Sequence, residues 1–200
     1  MEQALSYAGV VTFAMAGALA GVRKRFDIAG VVILAVVTAV GGGSVRDVVV
    51  GIIPPTALTD EALLWLPVAT GLVVFATHHR LPTGRLLYVA DTLSLGLFAA
   101  LGAQRGVEVG FGLLGTVFVG AVSGIGGGII RDVLSGVVPG VMYRSGDFYA
   151  TAAAAGAACV FLLAPFSLPL ALVVGAVVAA GLRAGSRLAG LHLPVPREPQ

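Results

Sequence analysis

Two stretches of this chain combine residue types that could do chemistry. Gly41-Gly42-Gly43-Ser44-Val45-Arg46-Asp47 returns 85 positions later as Gly126-Gly127-Gly128-Ile129-Ile130-Arg131-Asp132. Each copy lies inside a long apolar run. A glycine costs a helix ~1 kcal/mol, and a charge at mid-bilayer costs ~2.5–3.5 kcal/mol on insertion scales. A chain that accepts both costs twice, at a fixed offset, is expected to build a polar site within a membrane.

If the helix opens at the first triplet, the carbonyls near Val37 to Val40 lose their partners. They form a partially negative helix end suited to a dehydrated cation, while the half-helix beyond presents a positive end to an anion or carboxylate. Such a break must face protein or a water-filled cavity. The competing reading is close packing, as the small-xxx-small spacings Gly17/Gly21 and Gly124/Gly128 and the alanines of 152–155 suggest. Thr38 and Ser123 are paired hydroxyls one turn before the triplets; they either line a pathway or bond back to helix carbonyls. Ser44 joins the six motif glycines as a pathway candidate.

The motif charges need their own account. Neighbouring helical residues point about 100° apart and pair poorly, so Arg46, Asp47, Arg131 and Asp132 are expected to find partners on other helices. Crosswise bonds such as Arg46 to Asp132 look strained. Ser44 and Asp47 form an S-x-x-D helix-start pattern. The second copy has Ile129 at the Ser position yet keeps Asp132, which favours a role beyond a cap. Asp91, in Tyr88-Val89-Ala90-Asp91-Thr92, is either a first-turn carboxylate or a cation-attracting group at an inner mouth. Its counterpart at the 85-residue offset is Ser6.

The elements that must position these residues are apolar. The 200-residue chain is 58% hydrophobic and 11% charged, with mean hydropathy +1.00; soluble domains average about 25% charged residues. The hydrophobic material comes in runs of about twenty, enough to cross ~30 Å of hydrocarbon. Seven spans are expected, at about 4–22, 28–50, 62–77, 86–104, 110–135, 148–164 and 168–188. The first reads as a retained helix, since no positive leader precedes it. All are expected to form one all-α transmembrane domain over 1–190, with a partly disordered tail at 191–200.

Lysine and arginine in short loops orient the chain. The first, third and fifth loops and the C-terminal tail carry Arg23, Lys24, Arg25, Arg80, Arg85, Arg144, Arg183, Arg187 and Arg197; the other side carries Arg105. The N-terminus is expected outside and the C-terminus in the cytoplasm.

The offset extends beyond the motif. Between 26–54 and 111–139, twelve of twenty-nine positions are identical, and Phe13/Phe98, Gly17/Gly102 and Gly21/Gly106 keep register. The repeats are about 4–78 and 86–164, and the helix at 168–188 stands outside both. Three helices per repeat make the second copy enter from the opposite side, an inverted pair whose pathway is expected near the midplane. The second and fifth helices would be broken at their glycines.

Other chemistries find little support. His78, His79 and His192 lie in loop or tail positions without metal-ligand spacing. Cys159 is the single cysteine, so no intrachain disulfide is possible, and it reads as a small buried hydrophobe. There is no GxxxxGK[ST], and Gly124-Ile125-Gly126 lacks the third glycine of a dinucleotide motif because 129 is Ile. No nucleophile–base constellation lies at membrane depth, so enzyme activity is not expected. No cofactor is implied, and no basic stripe interleaved with aromatics suggests nucleic acid.

The paired GGGxxRD segments, the 3+3+1 helices and the chain length resemble the prokaryotic trimeric intracellular cation (TRIC) channels, which overlap a bacterial family often labelled glycine transporters. The likeness runs from Ala8 to about Pro194, and the DTLSLGLFAALGA segment beginning at Asp91 and Tyr149-Ala150-Thr151 are similar to it. It implies a homotrimer in the bacterial plasma membrane, with a pore in each protomer lined by the second and fifth helices and permeable to potassium and sodium. Animal members hold a phosphoinositide with basic residues near the second glycine motif; Gly128-Ile129-Ile130-Arg131 departs from that pattern with one arginine. The leading expectation is a potassium-permeable channel in which carbonyls at the triplets replace part of the ion's water. The runner-up is a secondary transporter of glycine or another small zwitterion, held between opposed helix ends. A structural scaffold would not need two costly charged sites.

Overall fold

A computed structural model describes residues 1–142, 148–191 and 193. Arg144, Arg197, His192, Pro194 and most of the tail lie outside the described residues. Within them the chain is helical, with no strand. The helices are α1 (Glu2–Arg23), α2 (Ile28–Val49), a single turn α3 (Thr56–Thr59), α4 (Ala62–Thr77), α5 (Thr83–Glu108), α6 (Leu113–Leu134), α7 (Tyr149–Leu163) and α8 (Leu168–Leu188). Six are long and apolar enough to cross a membrane, counting the 3₁₀ turn that extends α4 to Arg80, and α7 is a shorter apolar helix of 15 residues. The chain is therefore a multi-pass membrane protein.

Helices α1, α2 and α4 pack around Phe13, Leu19, Val31 and Val74. Helices α5, α6 and α7 form a second group, and α8 lies against α5 and α7. The groups meet where α1 packs on α5 and α2 on α6. Small residues set the spacing: a Cβ on Gly17 would lie 2.6 Å from the Leu34 carbonyl oxygen, and one on Gly96 would lie 2.5 Å from that of Ala176. Without a hydrophobic drive between helices in lipid, such close backbone approach is what van der Waals packing requires.

The connections repeat between the two groups. Phe26 N–H donates to the Gly21 carbonyl after α1, and Phe111 N–H donates to that of Gly106 after α5. At the ends of α2 and α6, Ile52 N–H donates to the Asp47 carbonyl and Val137 N–H to that of Asp132. Each closes a Schellman-type cap over a glycine in the left-handed region, Gly51 at φ +80° and Gly136 at φ +67°.

The structure corrects one central expectation. Both glycine triplets are helical: α2 and α6 run as unbroken α-helix from Ile28 to Val49 and from Leu113 to Leu134. Their carbonyls belong to the helical ladder and are not orphaned toward an ion. The packing reading therefore describes the triplets' backbone. Cys159, expected to be buried, is half-buried.

Candidate functional site

Each glycine in the triplets has its own neighbour. A Cβ on Gly42 would collide with the Ser123 carbonyl oxygen on α6, and one on Gly127 would collide with the Thr38 carbonyl oxygen on α2. These contacts are reciprocal, because 42 and 127, like 38 and 123, are 85 apart. The middle glycines thus let two backbones cross in contact. The first glycines serve the same crossing: a Cβ on Gly41 would lie 2.6 Å from Ile130 Cδ1, and one on Gly126 would lie 3.0 Å from Gly42 Cα. The third glycines differ. A Cβ on Gly43 would make only ordinary contacts, 3.6 Å from Phe98 and 3.7 Å from Arg46 Nη2, whereas one on Gly128 would collide with the Tyr149 hydroxyl. Residues three apart share a helix face, so each guanidinium lies beside the third glycine of its own motif.

The adjacent aspartates do pair with these arginines, contrary to expectation. Arg46 Nε and Nη2 donate to Asp47 Oδ1 at 2.9 and 2.7 Å. Arg131 Nε donates to Asp132 Oδ1 at 2.9 Å. The long arginine stem curls around the last helical turn to reach its neighbour, which spacing along the axis did not suggest. The second aspartate oxygen caps the segment that follows: Asp47 Oδ2 accepts from Thr56 N–H at 2.8 Å, at the start of α3, and Asp132 Oδ2 accepts from Gly140 N–H at 3.2 Å. Asp47 is thus no partner of Ser44 at a helix start. Ser44 is half-buried inside the continuous helix.

Asp91 differs most from its expected place. Helix α5 begins at Thr83, so Asp91 is two turns inside it and 2% exposed. Its carboxylate receives two arginines, Arg131 from α6 on Oδ1 and Arg183 from α8 at 2.7 Å on Oδ2. Arg183, counted above as a cytoplasmic loop cation, is a buried residue of α8. Its guanidinium also lies over the Tyr149 ring, 4.2 Å from the centroid. The Tyr149 hydroxyl abuts Gly128 and has no hydrogen-bond partner among the described residues. The hydroxyls before the triplets divide: Thr38 donates back to the Leu34 carbonyl at 2.6 Å, whereas Ser123 Oγ is buried with no hydrogen-bond partner among the described residues.

These residues line two recesses. The first is bounded by Ser6, Gly43, Arg46, Asp47, Phe98 and Arg105. The second is bounded by Asp91, Gly128, Arg131, Asp132, Tyr149 and Arg183. They meet α5 toward opposite ends, at Arg105 and at Asp91, ~21 Å apart along the axis. Phe13 and Phe98, also 85 apart, lie with ring centroids separated by 5.1 Å. Phe98 faces Gly43 and Phe13 faces Gly127, so the ring pair sits against the α2–α6 crossing. Arg105 spans the mouth of the first recess, bonded to Glu2 at 2.9 Å and Glu108 at 2.7 Å. His78 Nδ1 lies 2.6 Å from the Phe75 carbonyl oxygen. No group of three or more His, Cys, Asp or Glu residues placed to hold a metal occurs among the described residues.

The family model described as glycine transporter matches residues 3–79 and again 88–165, one match for each set of three helices. The chain is 50% identical to a UPF0126 membrane protein of Deinococcus radiodurans over 98% of its own length and 92% of that protein. It is 36% identical to the UPF0126 inner membrane protein YadS of Escherichia coli, over 76% of this chain and 73% of that one. A solved TRIC cation channel superposes with TM-score 0.89 at 33% identity, covering 99% of this chain and 98% of that one. The chain belongs to the prokaryotic TRIC family. A TRIC trimeric intracellular cation channel orthologue from Rhodobacter sphaeroides agrees equally well, with TM-score 0.89 and 35% identity over 95% of this chain and 98% of that one. The two family-model matches cover both GGGxxRD copies, whereas α8 with Arg183 falls outside them.

Proposed function

We propose that the protein is a cation channel of the bacterial inner membrane, permeable to potassium and sodium, with a pathway inside each protomer. The observation that carries this reading is the pair of recesses. Each ends at one GGGxxRD site, each reaches a different end of α5, and the whole chain superposes on a TRIC cation channel. The triplets on α2 and α6, with Thr38, Ser44 and Ser123 beside them, line the narrow middle. The ring pair of Phe13 and Phe98 closes it in this conformation.

With helical carbonyls already engaged, a passing ion keeps most of its water shell. Ser123 Oγ is a polar atom at the crossing with no hydrogen-bond partner among the described residues. Discrimination among monovalent cations is then weak, and the charges flanking the recesses set the sign of the permeant ion. The two helix groups form an inverted pair. The reciprocal contacts Gly42 to Ser123 and Gly127 to Thr38 support that arrangement, since a two-fold axis produces such exchanges. The basic ends at Arg23-Lys24-Arg25 and at Arg187 face the cytoplasm and the N-terminus faces outside. Three chains assemble, as the Rhodobacter orthologue is described to do.

The glycine-transporter description of the family model supports a second reading, uptake of a small zwitterion. Potassium flux and labelled glycine uptake measured on the same proteoliposomes separate the two. Potassium flux without saturable glycine uptake is expected; saturable uptake without potassium conductance would overturn the channel.

A further inference from the structure

The two repeats are not electrically equivalent. At the 85-residue offset, the first has Ser6 where the second has Asp91. In the first recess Arg46 is answered by Asp47. In the second, Arg131 is answered by Asp132 and also by Asp91, whose other oxygen takes Arg183. Arg183 stands on α8, the helix outside both repeats. The second copy thus carries an added acid and the added helix carries its base, and the two meet in the wall of the recess. All three side chains are buried, at 2% exposure for Asp91, 6% for Arg131 and 5% for Arg183. Charges so placed are poorly screened by salt, and a single uncompensated one acts on an ion a few ångströms away.

We infer that Asp91 and Arg183 form a compensated pair that sets the charge selectivity of this recess. This rests on the channel reading. Asp91 cancels the surplus that two buried arginines would present to a cation, and Arg183 prevents Asp91 from becoming a trap that holds the cation. The pair also fixes Arg131 beside Gly128, because Asp91 holds the guanidinium from the α5 side while Asp132 holds it from its own helix. Tyr149 completes the wall, with its ring against Arg183 and its hydroxyl against Gly128. Selectivity in this family member would then depend on a helix that neither repeat contains.

The test is the reversal potential of the reconstituted full chain in planar bilayers under a potassium chloride gradient, with assembly of each variant checked by size exclusion. Asp91→Asn adds one positive charge and is expected to lower the potassium-to-chloride permeability ratio about tenfold or more. Arg183→Gln removes one and is expected to raise the ratio. The double variant restores the charge sum and should return the ratio toward wild type, and Arg183→Lys should keep it there. If Asp91→Asn does not assemble, a raised ratio in Arg183→Gln beside a wild-type ratio in Arg183→Lys still decides. Equal ratios in a conducting wild type and in every assembled variant would overturn the pair's role alone. A wild type that carries no current would overturn the channel reading and this inference with it.

Discussion

At the scale of single residues, the site is built from arginines that need carboxylates. Gly128 leaves room for the Tyr149 hydroxyl, one helical turn before Arg131. Asp47 and Asp132 supply the carboxylates and cap the next segment with their second oxygens. Removing one partner of a buried pair costs ~3–5 kcal/mol, because the other charge is stranded. Asp47→Asn is therefore expected to lower the melting temperature in detergent far more than Ser44→Ala does; equal melting would contradict the pairing. Tyr149→Phe should behave oppositely. Its hydroxyl is buried without a partner among the described residues, so deleting it is expected to leave thermal stability unchanged or raise it by ~1 kcal/mol. The motif residues were legible in the sequence because they recur in register. Arg183 was not, because a cation near a chain end reads as a loop anchor under the positive-inside rule. What could have marked it is its place within the apolar run of α8, a full turn before Arg187.

At the scale of elements, the spans were legible to within a few residues, since hydropathy and breakers decide where helices start and stop. The continuity of α2 and α6 was not. Glycine propensities are measured in water, where an opened helix is rehydrated. In lipid every freed N–H and carbonyl costs several kcal/mol, which outweighs ~1 kcal/mol per glycine. The triplet therefore stays helical and its bare face is used for the α2–α6 crossing. Gly42→Ala and Gly127→Ala should each destabilise the fold by ~1–3 kcal/mol, since the new methyl meets backbone that cannot move aside. Gly84→Ala, on a stretch of α5 with open space around it, should be neutral or stabilising. Melting curves of the three variants check this, and a crossing that tolerates alanine would contradict it.

At the scale of the whole molecule, one recess reaches Gly43 and Phe98 and the other reaches Gly128, toward opposite ends of α5. In the proposed pathway the Phe13–Phe98 pair lies between them, where an apolar constriction would gate by excluding water. Phe98→Ala is expected to raise potassium flux severalfold at some cost in stability; unchanged flux in a folded variant would place the barrier elsewhere. The 85-residue offset marked both motif copies in the sequence, while the meeting of Asp91 on α5 with Arg183 on α8 is visible only once the helices are packed. The most direct test of a pathway through both recesses is side-specific block of potassium current by a membrane-impermeant thiol reagent in planar bilayers. Ser6→Cys lies in the first recess and Val141→Cys in the second, with Cys159→Ala as the background. The account predicts block of Ser6→Cys from one side of the bilayer and of Val141→Cys from the other. Potassium current that neither reagent addition reduces would contradict it.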